Sequence, residues 1–224
     1  MSKVKVKICG ITNWPDAKRA VEAGADLLGF NFWPLSPRYI EPEKARRIAH
    51  RLPRRIATVG VFVNQREDVM LEVARSVGLR YLQLHGDESP EIVSRLRNSL
   101  DVIKAFQVRA PFRTSRLRHF PADAFLLDGF SRTRRGGTGN TFEWSVARRA
   151  KRYGRIFLAG GLKPENIASA IRRVRPYAVD VCSGVEARPG RKDPRRILQL
   201  MQAVRNPSAN GAKSNQRRAH AHAK

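Results

Sequence analysis

Residues 155–184 read RIFLAGGLKPENIASAIRRVRPYAVDVCSG. A short apolar run at 156–159 ends on Gly160-Gly161, and a helix-period segment follows near 164–173. A second short run at 178–181 then ends on Cys182-Ser183-Gly184. Strand, glycine turn, helix, strand and glycine turn make a parallel crossover unit. Glycines at the mouths of parallel strands let backbone N–H groups face an anion.

The same alternation runs upstream. Further strands are predicted at 3–8, 26–30, 56–62, 81–84, 101–106 and 124–127. Helix-period segments lie near 14–23, 42–51, 66–77, 89–97, 111–118, 142–152 and 193–204. Pro15, Pro42, Pro90, Pro164 and Pro194 stand in first turns, where a missing N–H costs nothing. Eight strands alternating with eight helices over residues 1–204 predict a single-domain (β/α)8 TIM barrel near the lower size limit of that fold. An open doubly wound sheet would carry a glycine-rich nucleotide fingerprint after its first strand, and Cys9-Gly10-Ile11-Thr12 stands there instead. From Arg205 the composition turns to Asn, Ser, Ala, Gly, Lys, Arg and His without apolar period, so 205–224 is expected to be a disordered basic tail. His220 and His222 there are read as solvated, and no metal site is expected.

The chain has 224 residues, a net charge of +25, and only two cysteines. Two cysteines exclude a disulfide scaffold and a multi-cysteine zinc module. No run approaches the roughly 18 apolar residues of a membrane helix, and MSKVKVKICGIT is not a secretory signal. The expectation is a cytoplasmic protein with no membrane partner. The tail holds only Arg205, Lys213, Arg217, Arg218 and Lys224 of the 44 basic residues, so the excess runs through the whole chain. Pairs such as Arg46-Arg47 and Arg148-Arg149 fall on helix exteriors, and a solvated basic surface explains them better than a nucleic-acid interface. Such a field also favours encounter with a small phosphorylated anion.

In a (β/α)8 barrel the chemistry sits at the C-terminal ends of the strands. Cys9 stands just past the first run. It is either a small packed residue or a thiolate acting as base, which needs positive charge nearby. Lys7 lies on the same strand, without being assigned that task. Arg38, in a loop stiffened by Pro34 and Pro37, is a candidate carboxylate clamp. His85 follows the fourth run, as a proton shuttle or a bonded loop residue. Asp128 ends the sixth run and is the best general-acid candidate; that role asks for an apolar, desolvated seat. Gly137, Thr138 and Gly139 add backbone donors beside the turns after strands seven and eight.

Several motifs in order carry a resemblance: Lys7-Ile8-Cys9-Gly10-Ile11-Thr12, Ser36-Pro37-Arg38, Leu82-Gln83-Leu84-His85-Gly86-Asp87, Leu127-Asp128, Gly136-Gly137-Thr138-Gly139, Leu158-Ala159-Gly160-Gly161-Leu162 and Asp180-Val181-Cys182-Ser183-Gly184-Val185-Glu186. Over residues 3–204 the chain resembles the phosphoribosylanthranilate isomerase family of tryptophan biosynthesis. The resemblance implies a cofactor-free Amadori rearrangement of N-(5-phosphoribosyl)anthranilate to the 1-deoxyribulose form, in a monomer or homodimer. It implies Cys9 as general base, Asp128 as general acid, Arg38 on the anthranilate carboxylate, and Asp180 in support. It further implies phosphate held on amides of Gly137, Thr138, Gly139, Gly160, Gly161, Ser183 and Gly184. Two positions depart from the family pattern: Glu143 stands where Asp is usual, and Cys182 where Ser is commoner. Strands one and eight neighbour each other in a closed barrel. Cys182 is therefore either a buried spectator or close enough to Cys9 for a disulfide under oxidation. The histidine-pathway isomerase, which runs the same rearrangement with two aspartates, is the nearest alternative, and Cys9 argues against it. A basic nucleic-acid-binding protein is the alternative from another class.

Overall fold

A computed structural model describes residues 4–129 and 144–207. Eight parallel strands close on themselves in sequence order: β1 (Lys5–Cys9), β2 (Leu27–Asn31), β3 (Ala57–Phe62), β4 (Tyr81–Leu84), β5 (Asp101–Gln107), β6 (Ala124–Asp128), β7 (Arg155–Ala159) and β8 (Ala178–Val181). β1 pairs with both β2 and β8, which is the closure. The predicted (β/α)8 barrel is therefore the observed fold. Several strands run one residue further toward the mouth than their apolar runs suggest. Cys9 and Asp128 are thus the last strand residues rather than the first loop residues.

Seven α-helices cover the barrel among the described residues: α1 (Trp14–Ala23), α2 (Pro42–Ala49), α3 (Glu67–Val77), α4 (Pro90–Arg97), α5 (Trp144–Ala150), α6 (Ile167–Val174) and α7 (Pro194–Arg205). Two of the helices carry side-chain caps. Asn13 accepts from the Asp16 N–H at the start of α1, and Asp193 accepts from the N–H groups of Arg195 and Arg196 at the start of α7. The helix expected near 111–118 is instead a 3-10 turn, Thr114–His119. Leu117 is its one fully buried side chain, so no apolar stripe sustains a longer helix. Pro164 does not open α6; it sits in a turn where the Lys163 N–H donates to Asn166 Oδ1, and the helix begins at Ile167. After β8 a 3-10 turn, Ser183–Val185, leads into a hairpin of β9 (Glu186–Arg188) and β10 (Arg191–Lys192), which the apolar pattern had not announced. α7 runs through Arg205, whose guanidinium donates to the Ala23 carbonyl.

The core has two parts. The larger lies between strands and helices and includes Ile8, Leu28, Phe30, Phe62, Leu82, Phe125 and Leu158. The smaller fills the barrel with Leu27, Val59, Tyr81, Ile103, Leu126 and Phe157. Alternate residues of a strand face the barrel axis. Lys7 and Cys9 therefore share the inside with Gln83, Asp128, Asp180 and Cys182, above the apolar plug. Gly29 makes the room, because a Cβ there would lie 2.8 Å from Cys9 Sγ and 3.1 Å from Lys7 Cε.

Candidate active site

A cavity of about 340 Å³ opens at the C-terminal mouth of the barrel, lined among others by Cys9, Arg38, Gln83, His85, Asp128 and Asp180. Gly160, Gly161, Cys182 and Ser183 complete one wall. Seven of the sequence-predicted site residues thus meet in one hollow: Cys9, Arg38, Asp128, Gly160, Gly161, Asp180 and Ser183. Gly184 stands behind the wall, where a Cβ would collide with the Leu162 carbonyl, so the turns after β7 and β8 interlock. Gly160 and Gly161 adopt φ values of +87° and +66°, which side chains disfavour. Gly137, Thr138, Gly139 and Glu143 lie outside the described residues. A larger hollow, about 540 Å³, lies beside the site and shares His85. Its buried charges, Lys104 and Glu88, pair with each other at 2.7 Å.

One side of the mouth is the β1–β8 seam. Lys7 is fully buried; its ammonium donates to Gln83 Oε1 at 2.7 Å and lies 3.1 Å from Asp180 Oδ1. Burial alone lowers a lysine, but Asp180 and Cys9 more than offset that, so Lys7 stays charged. Cys9 is buried, and a hydrogen bond from Cys182 holds its thiol well below the usual thiol range. Burial opposes this, while the charges on Lys7 and Lys192 add to the lowering. Burial pushes the Asp180 carboxyl up to about 7, against the pull of Lys7. The positive environment a thiolate needs is therefore present, and Lys7 is a principal source. Both cysteines are free thiols. Cys182 is half-buried in the same wall rather than remote from the site.

Arg38 reaches the mouth, but not as an unpaired clamp. Its Nε and Nη2 donate side-on to Glu186, at 2.9 and 2.7 Å, and this pairing raises it further above its ordinary value. The end-on edge, Nη1 with Nη2, is the one left for a second carboxylate. Burial pushes Glu186 up, but Arg38 and Lys192 more than offset this and hold it below the usual carboxylate range.

The opposite side of the mouth is built by β4 and β6. Gln83 spends its oxygen on Lys7, so its amide nitrogen donates to His85 Nδ1 at 3.0 Å. That assigns the ring proton of neutral His85 to Nε2, which faces Asp128 Oδ2 at 3.6 Å. Asp128 is 23% exposed with a polar neighbour, so it does not occupy the apolar, desolvated seat expected of it. A chain of polar contacts runs across the mouth from Asp180 through Lys7 and Gln83 to His85, whose Nε2 stops 3.6 Å from Asp128 Oδ2. Sequence reasoning missed Gln83, Glu186 and Lys192. The period-two spacing of Lys7 with Cys9 and of Gln83 with His85 was the available signal.

This arrangement meets its match among known proteins. The family model for N-(5'phosphoribosyl)anthranilate (PRA) isomerase matches residues 6–203. The chain belongs to the N-(5'-phosphoribosyl)anthranilate isomerase family. The isomerase of Citrifermentans bemidjiense is 51% identical over 197 residues, covering 88% of this chain and 95% of that one. The crystal structure of phosphoribosyl anthranilate isomerase from Thermotoga maritima superposes with a TM-score of 0.83 at 47% identity, covering 91% of this chain and 99% of that one. A second isomerase structure holds reduced 1-(o-carboxyphenylamino)-1-deoxyribulose 5-phosphate; it has a TM-score of 0.81 at 44% identity, with 91% of this chain and 99% of that one covered. Among the described residues no helix is long and apolar enough to cross a membrane.

Proposed function

We propose that the chain converts N-(5-phosphoribosyl)anthranilate to 1-(2-carboxyphenylamino)-1-deoxyribulose 5-phosphate in tryptophan biosynthesis, with Asp128 as general acid and Cys9 as general base. Asp128 gives its proton to the ribose ring oxygen as the C1′–O bond breaks, leaving an open-chain iminium. The Cys9 thiolate then removes the C2′ proton, and the C–H pair moves into the C1′–C2′ bond to quench the iminium nitrogen. The resulting enolamine tautomerises to the ketone. Cys9 ends protonated and Asp128 ionised, so one proton returns from sulfur to carboxyl through solvent. The product keeps every atom of the substrate, and no oxidant or reductant is consumed.

The observation that carries this reading is that a thiol held below its ordinary pKa and a carboxyl face one cavity from opposite sides. General acid–base catalysis needs one group deprotonated and the other protonated at the start of each cycle. The end-on edge of Arg38 suits the anthranilate carboxylate, and backbone amides at Gly160, Gly161, Ser183 and Gly184 suit the phosphate. We assign residues 1–204 to one catalytic domain and the compartment to the cytoplasm, where two thiols stay reduced. The test is turnover of freshly made phosphoribosylanthranilate by the purified chain, followed by loss of anthranilate-type fluorescence, with Cys9→Ala as control. Turnover by the parent and none by the variant is expected; an inactive parent or an active variant overturns the assignment.

A further inference from the structure

The guanidinium proposed to hold the substrate's carboxylate has a single anchor. Among the described residues the Arg38 side chain donates to Glu186 alone, from Nε to Oε1 at 2.9 Å and from Nη2 to Oε2 at 2.7 Å. Its stem lies over Gly10, where a Cβ would stand 3.0 Å from Arg38 Cδ. Glu186 opens β9 and stands opposite Lys192 of β10 in the hairpin register. The fully buried Lys192 ammonium donates to Glu186 Oε1 at 3.1 Å and to the Cys182 carbonyl at 3.2 Å. The Gly190 N–H donates to the same Oε1 at 3.2 Å, and the Cys182 thiol donates to it at 3.9 Å. The hairpin is itself tied to the segment after β1. The Gly190 carbonyl accepts from Thr12 Oγ1 at 2.6 Å, and the Lys192 N–H donates to the buried Asp16 carboxylate at 2.9 Å.

We propose that Glu186 is a positioning residue for substrate binding: held by Lys192 and Gly190, it aims the end-on edge of Arg38 at the carboxylate of an anthranilate-bearing substrate. The inference rests on reading Arg38 as the carboxylate clamp. Order is the first argument. An arginine side chain without an anchor loses rotamer freedom each time a ligand binds, and that loss is subtracted from affinity. Arg38 is 24% exposed, whereas Glu186 is 4% and Lys192 0% exposed. The partly solvated group is thus fastened to two that water barely reaches. Geometry is the second argument. A guanidinium offers a carboxylate two forks, side-on and end-on. Glu186 fills the side-on fork, so a second carboxylate pairs end-on. Glu186 therefore selects the edge that the ligand meets. Charge agrees with this. Arg38 and Lys192 set two positive charges against the one negative charge of Glu186, and an incoming carboxylate completes the balance of the three.

Binding tests this without turnover. The probe is reduced 1-(o-carboxyphenylamino)-1-deoxyribulose 5-phosphate, the compound held by the second isomerase structure. Its counterpart made from aniline lacks only the carboxylate. Each Kd is measured by titration calorimetry on the full chain. The parent should prefer the carboxylate probe, and Arg38→Ala should lose that preference. In Glu186→Ala the carboxylate probe should bind about fivefold more weakly while the aniline probe changes less than about twofold, as when one charge-assisted hydrogen bond is misaligned. A purely structural role would weaken both probes alike, and that result overturns the proposal. Tighter binding of the carboxylate probe also overturns it, because Glu186 would then act by repulsion. Glu186→Asp keeps the charge but shortens the reach by one methylene, so it should follow Glu186→Ala. Parental preference in Glu186→Asp overturns the proposal, even where Glu186→Ala does not fold. Added to Arg38→Ala, Glu186→Ala should change the carboxylate probe by less than about twofold; a further loss as large as in the parent overturns the proposal. A parent indifferent to the carboxylate sinks the clamp reading and this inference with it. An inactive parent whose probes follow the expected pattern sinks the proposed reaction and leaves the positioning of Arg38 standing.

Discussion

On the β1–β8 side of the mouth Cys9 is 8% exposed and faces buried cations, whereas on the β4–β6 side Asp128 is 23% exposed and faces a histidine at 3.6 Å. The contrast fits the roles proposed for the two groups. A thiol becomes a useful base near neutral pH only if fixed positive charge holds it ionised, and such charge acts most strongly where water is excluded. An acid that leaves each cycle as a carboxylate must regain its proton, and partial exposure gives it a route. The same barrel therefore supplies a dry, charged seat and a wet, polar one within a single cavity.

The largest expected effect comes from removing either reacting group. Cys9→Ala and Asp128→Ala should each lower kcat by at least about a hundredfold, equivalent to about 2.7 kcal/mol of barrier. A variant within tenfold of the parent would erase the distinction between the two sides. Lys7→Met, next in size, should act on the base side alone. The acid limb of kcat/KM should move toward the ordinary thiol value of about 8.5, with activity at neutral pH falling roughly tenfold or more. An unmoved limb would mean that Lys192 and Cys182 suffice. Arg38→Ala should raise KM by roughly tenfold while kcat changes less, since a group that binds the carboxylate equally in ground and transition states affects binding first. A fall in kcat with KM unchanged would show instead that Arg38 acts through Glu186 on the sulfurs.

The smallest effect concerns stability. Asp180 titrates near 7 in the folded chain and near 3.9 when unfolded, so between these values the folded state holds a proton that unfolding releases. Its contribution therefore favours folding below about 4 and is lost as pH rises through about 7. Asp180→Asn should flatten that part of the stability curve, measured by denaturant titration across the interval. An unchanged slope would mean that Lys7 keeps Asp180 ionised throughout, making the base side even more tightly charge-paired.

Cys9, Asp128 and Arg38, and the glycines at 160–161 and 183–184 with Ser183, were legible because each stands at the end of a short apolar run, where barrel chemistry collects. Gln83, Glu186 and Lys192 were not, because polar residues at a strand end or in a short hairpin leave no apolar period. The polar seat of Asp128 was equally hidden. It depends on His85 from another strand, oriented by Gln83, which is itself oriented by Lys7.

The order of apolar runs and glycine turns was enough to specify an eight-fold barrel and its reactive rim, because strand alternation and crossover handedness are local consequences of the chain. Which residues face one another across that rim was decided by closure. Bringing β1 against β8 sets Cys9 beside Cys182 and Lys7 beside Asp180, residues more than 170 positions apart. Their protonation depends on that burial and proximity, and no stretch of sequence holds either.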